Sequence, residues 1–400
     1  MARIIVVGGN FAGLTSALEL KRKLGHDHEV TMISKSPDFL FVPSLIWIPF
    51  KKRELKDITV PLKPIATKAG VQFICTEIIE IFAQDKIVRC RDKDFEYDYL
   101  IIATGPEWLF DQIAGLGLDS NVSFIVTPET ALAARKRWLE FIKDPGSVVI
   151  GAAPGSQCTG PAYEFLFNLE KRCRDLGIRK KVDITFITPE PFLGHLGIGG
   201  LTGSNFILKK MLPMFRINYI TNAEIQEVSS ENIMLKGGQS IPYKFSMIMP
   251  LFKGAKVVRD STGLGTADAF IPVNNSYQHK NYPSIFGVGI AADLTIKFKT
   301  PVPIGVPKTG YAADESAKTA VENIVRLLSG NNKLEVKPMD KIPDLCIMDA
   351  GDKEMISIAD SLLKPRRFSL VLPNPFYDIS KLMFEKYYLW KVRHGYSRLP

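Results

Sequence analysis

The chain has 400 residues, 46% apolar and 23% charged, with a net charge of +9 and five cysteines. That size and balance exclude a disordered chain and leave room for two or three domains with enclosed cofactor sites. The longest apolar stretch, FLFVPSLIWIPF, is short and broken by Pro43 and Pro49, so no segment reads as a membrane span.

The N-terminus opens directly into a strand, leaving no room for a cleavable leader, and five cysteines without one do not make a structural disulfide framework. RIIVVGG, NFAG, LTSALELKRKLG and HEVTMIS read as strand, tight turn, helix and strand, a βαβ unit of dinucleotide-binding type. In GGNFAG, Gly8 and Gly13 hold the outer glycine places of G-x-G-x-x-G, and Asn10 replaces the middle one. A middle glycine lets backbone approach a pyrophosphate at the helix N-terminus; Asn10 is expected to keep the loop because Asn tolerates left-handed backbone. Ser34 and Lys35 stand where an acid would bind a ribose. Hairpins from Val71 to Arg91 lead to EYDYLIIATGP, whose Ala103, Thr104 and Gly105 close the sheet.

The pattern recurs with GSVVIGAAPGS, a helix and VDITFITPEP, then hairpins and FSMIMPLFKG. This second loop has Ala153 at the middle glycine place, Pro154 without an N–H and Ser156 at the third glycine place, a backbone poorly suited to pyrophosphate. Glu190 stands where a ribose acid would be, but reads better as an acid in a surface turn. Cys158 falls at a helix start, where the dipole favours a thiolate; an inert, buried cysteine is the plainer alternative. YPSIFGVGIAAD and PKTGYAADESAKTAVENIVRLLSG follow, a strand-like return and a long helix with a glycine stop. DLCIMDAG and RRFSLVLP read as strands before a final helix, FYDISKLMFEKYYLWKVRHG. That helix places Ile379, Met383, Tyr387 and Trp390 at helical spacing, with Lys381, Lys386, Lys391 and Arg393 among them. A basic, aromatic helix can lie among anionic headgroups; packing inside the protein is the alternative.

HEVTMIS, FVPS, YDYLIIATGP, SQCTGPAYEF, FLGHLGIGG, PVPIGVPKTGY, LCIMDAGD and FEKYY, in that order over nearly the whole chain, resemble the bacterial-type branch of the sulfide:quinone oxidoreductase family. The resemblance implies an α/β fold with two Rossmann-like domains and a C-terminal α+β segment ending in an amphipathic helix. The expected divisions are 1–110 and 251–330 for the FAD-binding domain, 111–250 for the second domain and 331–400 for a quinone and membrane region. FAD is expected at Gly8, Asn10, Phe11, Ala12, Gly13, Ser34, Lys35, Ala103, Thr104 and Gly105, with Gly289 and Ile290 along its ribityl chain. A more general flavoprotein pattern has an Asp directly after that glycine, whereas here the nearest is Asp293. Lys308, Thr309 and Gly310 lead into a helix whose positive end favours a reduced flavin.

Cys158 and Cys346 match the family's redox pair, while Cys75, Cys90 and Cys173 match nothing and read as structural. His195 matches a histidine near the sulfide route, and Lys364 a lysine near flavin and quinone; Phe384 and Tyr388 are the candidate clamp for the quinone ring. Val126 stands where the family usually has a third cysteine, and Thr130 replaces a nearby histidine. The implied activity is oxidation of sulfide to sulfur or polysulfide, with electrons passed through FAD to a membrane quinone. The enzyme is expected at the cytoplasmic face of a membrane, as a monomer or homo-oligomer, without metal or nucleic acid. Relatives often continue into another amphipathic segment, so with the sequence stopping at Pro400 two expectations stay open: weaker anchoring, or a sequence shortened at this end. Two alternatives stay open: a type II NADH:quinone dehydrogenase, and a flavin-binding sulfur sensor or scaffold without turnover.

Overall fold

The computed structural model describes residues 1–293, 299–374 and 379–398; the first residues of the expected final helix, 376–378, lie outside them. A five-stranded parallel sheet has the order Ile285–Gly287, Tyr99–Ile102, Arg3–Val7, Glu29–Ser34, Gln72–Cys75. Its central strand is a continuous apolar run because both faces are covered. Ile4 and Val6 pack towards the helices Phe11–Leu24 and Gly310–Leu328, whereas Ile5 and Val7 pack towards a small antiparallel sheet that carries Ile81 and Val88. The strand Ile285–Gly287, late in the chain, thus completes a sheet begun at residue 3.

A second five-stranded parallel sheet has the order Val122–Ser123, Phe245–Met249, Ser147–Ala152, Asp183–Ile187, Ile217–Ile220. The helix Gly160–Asp175 follows its central strand and is buried along much of its length.

The C-terminal region differs from the sequence reading in two ways. Between the two expected strands lies a third, Glu354–Ala359, giving an antiparallel sheet of Asp344–Asp349, Glu354–Ala359 and Ser369–Asn374. The final helix, Ile379–His394, is seated in the protein: Tyr388, Leu389 and Val392 join the first domain's core. Lys381 and Lys391, expected among headgroups, are only 4% and 2% exposed and pair with Glu164 and Asp314. Helical spacing shows which residues share a face, but not that several faces are covered. Among the described residues, no helix is long and apolar enough to cross a membrane.

Candidate functional site

The first loop is shaped by close backbone approach. A Cβ on Gly8, where φ is 109°, would lie 2.3 Å from the Ala103 carbonyl oxygen, and one on Gly13 would lie 2.0 Å from that of Gly8. Strand end, helix and the Ala103–Thr104 turn meet only because neither residue has a side chain. Asn10 departs from expectation: its φ of −98° and ψ of −162° are extended, not left-handed. Its Oδ1 accepts from the Leu40 amide at 3.3 Å, so it makes no side-chain cap and the helix N-terminus is left for an anion.

The later flavin motif closes on this loop. A Cβ on Gly289 would come within 3.0 Å of the Ala12 Cβ, and one on Gly310 within 3.2 Å of the Phe11 ring. Lys308 donates to the carbonyls of Ile290 and Ala292 at 2.8 and 2.7 Å and lies 3.5 Å from the Phe270 ring centroid. It ties the two motif segments together, and burial pulls its pKa down to about 7. Thr309 caps the following helix. Ser34 Oγ is buried and accepts from the Ser36 amide, while Lys35 is exposed. Thr104 Oγ1 is buried without a partner among the described residues, and a Cβ on Gly105 would meet open space. An uncapped helix end, an orphaned hydroxyl and side-chain-free walls fit a dinucleotide cofactor.

The second loop is already filled by protein. Gly155 N donates to Pro303 O at 2.7 Å, Ser156 O accepts from Gly305 N at 3.1 Å, and Ala153 N donates to Met249 O at 2.9 Å. Loop amides that would hold a pyrophosphate are engaged by chain.

Cys158 lies just before the helix Gly160–Asp175, as expected, but its thiol is not biased towards thiolate. Burial first, and then the charge of Glu164, push its pKa up to about 12, outweighing the helix dipole. Cys346 is pushed up as well, mainly by burial, then by Asp344 and Glu164, with Lys381 opposing and Cys158 adding to the rise. Both thiols are free, and they lie within each other's electrostatic reach and that of Glu164. Strand and helix therefore bring together two cysteines that no spacing rule could pair.

Sequence reasoning missed the charged cluster beside them. Glu164 Oε2 accepts from Lys381 Nζ at 2.5 Å, and Oε1 accepts from the Asp349 amide at 3.2 Å. Asp349 Oδ2 takes the Trp47 indole N–H at 2.7 Å and Lys52 at 3.3 Å. The available signal was an acid inside the apolar run AYEFLF. Burial raises the Glu164 pKa, with Lys381 opposing.

Glu190 is also corrected: it is fully buried, not in a surface turn. Its Oε2 accepts from Tyr163 Oη at 2.6 Å and Thr188 Oγ1 at 2.7 Å, and its Oε1 from the Leu196 amide at 2.6 Å. It thereby fastens the glycine-rich turn carrying His195. His195 is 4% exposed beside the Phe192 ring; burial and then the Lys364 charge lower its pKa. Lys364 is exposed on a cleft of about 900 Å³, shared with Thr202, Phe206, Arg366 and Ser369.

The two quinone candidates do not form an open slot. Phe384 is exposed, but Tyr388 is buried against Phe11, Phe39 and Phe41, and its hydroxyl donates to Asp314 at 3.0 Å. Their ring centroids are 5.9 Å apart at 50°, whereas two rings enclosing a third need about 7 Å and parallel planes. Val126 is buried in the same core against which Cys158 packs. Thr130 works as a helix cap, exchanging bonds with Thr127 at 3.0 and 3.2 Å.

A family model described as pyridine nucleotide-disulphide oxidoreductase matches residues 2–317, which is the class that the paired parallel sheets and the glycine cradle define. The sulfide-quinone reductase of Aquifex aeolicus (strain VF5) is 36% identical over 98% of this chain and 91% of its own length. The X-ray structure of the sulfide:quinone oxidoreductase from that organism superposes with a TM-score of 0.95 at 34% identity, covering 100% of this chain and 93% of the other. A type II NADH:quinone oxidoreductase of Staphylococcus saprophyticus is more distant, at 22% identity over 88% of each chain. Within that class, the chain belongs to the sulfide:quinone oxidoreductase family. Membership implies a flavin cofactor.

Proposed function

We propose that this protein oxidises sulfide through Cys158 and Cys346 and passes the electrons, by way of FAD, to a membrane quinone. The observation that carries the reading is the meeting of these two thiols beside the Glu164–Lys381 pair, in a chain this similar to a sulfide-quinone reductase. Hydrosulfide attacks the Cys158 sulfur of a Cys158–Cys346 disulfide, leaving a persulfide on Cys158 and a thiolate on Cys346. When the thiolate closes on the persulfide, the bridge grows by one sulfur and releases two electrons and one proton. Glu164, its pKa raised by burial, is placed to take the proton, and Lys381 offsets the negative charge of the Cys346 thiolate. Bound FAD supplies the two-electron acceptor for this step. Its proposed cradle is Gly8–Gly13, Ala103–Gly105, Gly289 and Gly310, with Lys308 as a strut rather than a ligand. His195 serves as proton acceptor at the sulfide entrance, held by Glu190.

The reading includes domains at 1–110 with 251–330, 111–250 and 331–400, supported by the return of Ile285–Gly287 to the first sheet. It also includes a seat on a membrane surface, supported by the exposed Met383, Phe384 and Trp390. An NADH dehydrogenase is disfavoured by the occupied amides of the second loop. Stopped-flow absorbance tests the choice: sulfide should bleach the flavin and NADH should not. Cys346→Ser should abolish bleaching by sulfide; bleaching by NADH alone would overturn the assignment.

A further inference from the structure

The C-terminal sheet has two unlike faces. On the strand Asp344–Asp349, Cys346 and Met348 turn inward, and Leu345 and Ile347 turn outward. Register then aligns Leu345 with Ile358, Ile347 with Ile356, Ile358 with Leu370 and Ile356 with Leu372. Every one of these six outward positions is aliphatic. Leu345, Ile358 and Leu372 are 50%, 40% and 46% exposed, and the other three are partly so. An antiparallel sheet with one face on the core ordinarily presents polar residues on the other. A contiguous aliphatic face of this kind marks an interaction surface.

Charge distribution identifies what it meets. The loop 360–368, DSLLKPRRF, closes one end of the sheet with Lys364, Arg366 and Arg367 against a single acid, Asp360. Asp360 is turned back on the amides of Arg367 and Phe368, and Arg366 is spent on the carbonyls of Ile198, Gly200, Ser361 and Leu362. Lys364 and Arg367 stay exposed, beside Phe368 at 51%. At the other end the last strand leads, after four residues, into the final helix with its exposed Ile379 and Met383.

We propose that the outer face of this sheet is a lipid-binding surface: its six aliphatic side chains enter the acyl boundary of a membrane leaflet, while Lys364 and Arg367 meet anionic headgroups. This rests on the quinone-reducing reading, because it sets the strand bearing Cys346 directly on the membrane that holds the quinone. It adds the sheet to the exposed Ile379, Met383, Phe384 and Trp390 of the final helix, and supplies the headgroup cations that the buried Lys381 and Lys391 do not. Aliphatic area supplies the affinity and the cations the preference for anionic lipid.

The test is flotation of the full, FAD-loaded chain with phosphatidylcholine vesicles, with and without phosphatidylglycerol. Ile358→Asn with Leu372→Asn should weaken binding to both vesicles by about tenfold or more, since two aliphatic side chains leave the hydrocarbon. Arg367→Glu should remove only the advantage of phosphatidylglycerol. Thermal midpoints and turnover of a short-chain, water-soluble quinone should stay unchanged in all three proteins, which separates lost binding from lost folding. Unchanged flotation of the double variant would overturn the proposal. So would an oligomer that the variant dissociates while vesicle binding persists, which would make the face a contact between copies. Absence of sulfide-dependent reduction of the soluble quinone by the parent would instead overturn the proposed activity, with flotation still reporting on the sheet.

Discussion

Lys381→Met isolates what the buried ion pair does. The side chains of Lys381 and Glu164 are 5% and 10% exposed, with 2.5 Å between Nζ and Oε2. Removing one partner of such a pair typically costs about 3–5 kcal/mol, because the remaining charge is buried without compensation. Here the remaining group can escape by taking a proton. Lys381 is the main influence holding the Glu164 pKa down against burial, so without it the carboxyl moves further up. A carboxyl whose folded pKa lies above its unfolded value contributes stability that is complete below the unfolded pKa and lost as pH rises through the folded one.

The variant should therefore be close to the parent near pH 5 and fall behind by about 3 kcal/mol or more near pH 8. Urea midpoints at the two pH values measure the gap. Adding Glu164→Leu should recover most of the loss, because replacing both charges by apolar groups is often neutral or stabilising. A gap equal at both pH values, together with no recovery in the double variant, would refute the coupling. The same substitution removes the cation that opposes the rise in the Cys346 pKa, so flavin bleaching by sulfide should slow as well.

Three further outcomes are expected. Val126→Cys places a third thiol in the core shared with Cys158 and should change the sulfur chain length seen by mass spectrometry, at a stability cost of about 1 kcal/mol; an unchanged product would show that this position does not govern chain growth. Lys364→Met removes the positive charge that helps depress the His195 pKa, so the imidazole stays protonated to higher pH and the acid limb of the sulfide-dependent rate should move up; an unmoved limb would show that His195 is not the proton acceptor. In Glu190→Gln, an amide N–H₂ must face one of three donors now satisfied by a carboxylate, costing about 1–3 kcal/mol and loosening the His195 turn. A parent-like thermal midpoint and rate would contradict that role.

Legibility in the sequence followed the range of the interactions. Gly13 of the first loop could be read because it answers to the nearby Gly8 carbonyl, and Gly8 through its place in the same motif, although the backbone it meets is at Ala103. The second loop could be read as damaged because Pro154 removes an amide locally. Asn10 was misread because its backbone is set with a bond from Leu40, a partner on another segment. Cys158 could be located at a helix start, but its ionisation depends on burial, which only the folded chain sets around it. Glu190, Lys381 and Lys391 looked solvated for the same reason: local spacing does not report what a distant element lays over a charge. The missing strand Glu354–Ala359 has an alternation, EMISIA, that could have been found; its closing partner is the strand before it.

The raised thiol pKa values, which contradict the expected thiolate, fit the proposed chemistry better than that expectation did. The attacking group in the proposed first step is hydrosulfide, so Cys158 has no need to ionise; it has only to offer its sulfur as the electrophilic end of a disulfide. For Cys346 the requirement is the opposite of a stable thiolate. Thiolate nucleophilicity rises with pKa, so an anion released into a buried, carboxylate-facing site is held briefly and reacts readily. Lys381 keeps that anion accessible at all, and Glu164 provides a nearby place for the proton released when the bridge reforms. In the proposed cycle burial, the feature that made a reactive reading of Cys158 look weaker, favours the return of the pair to its bridged state as each electron pair leaves.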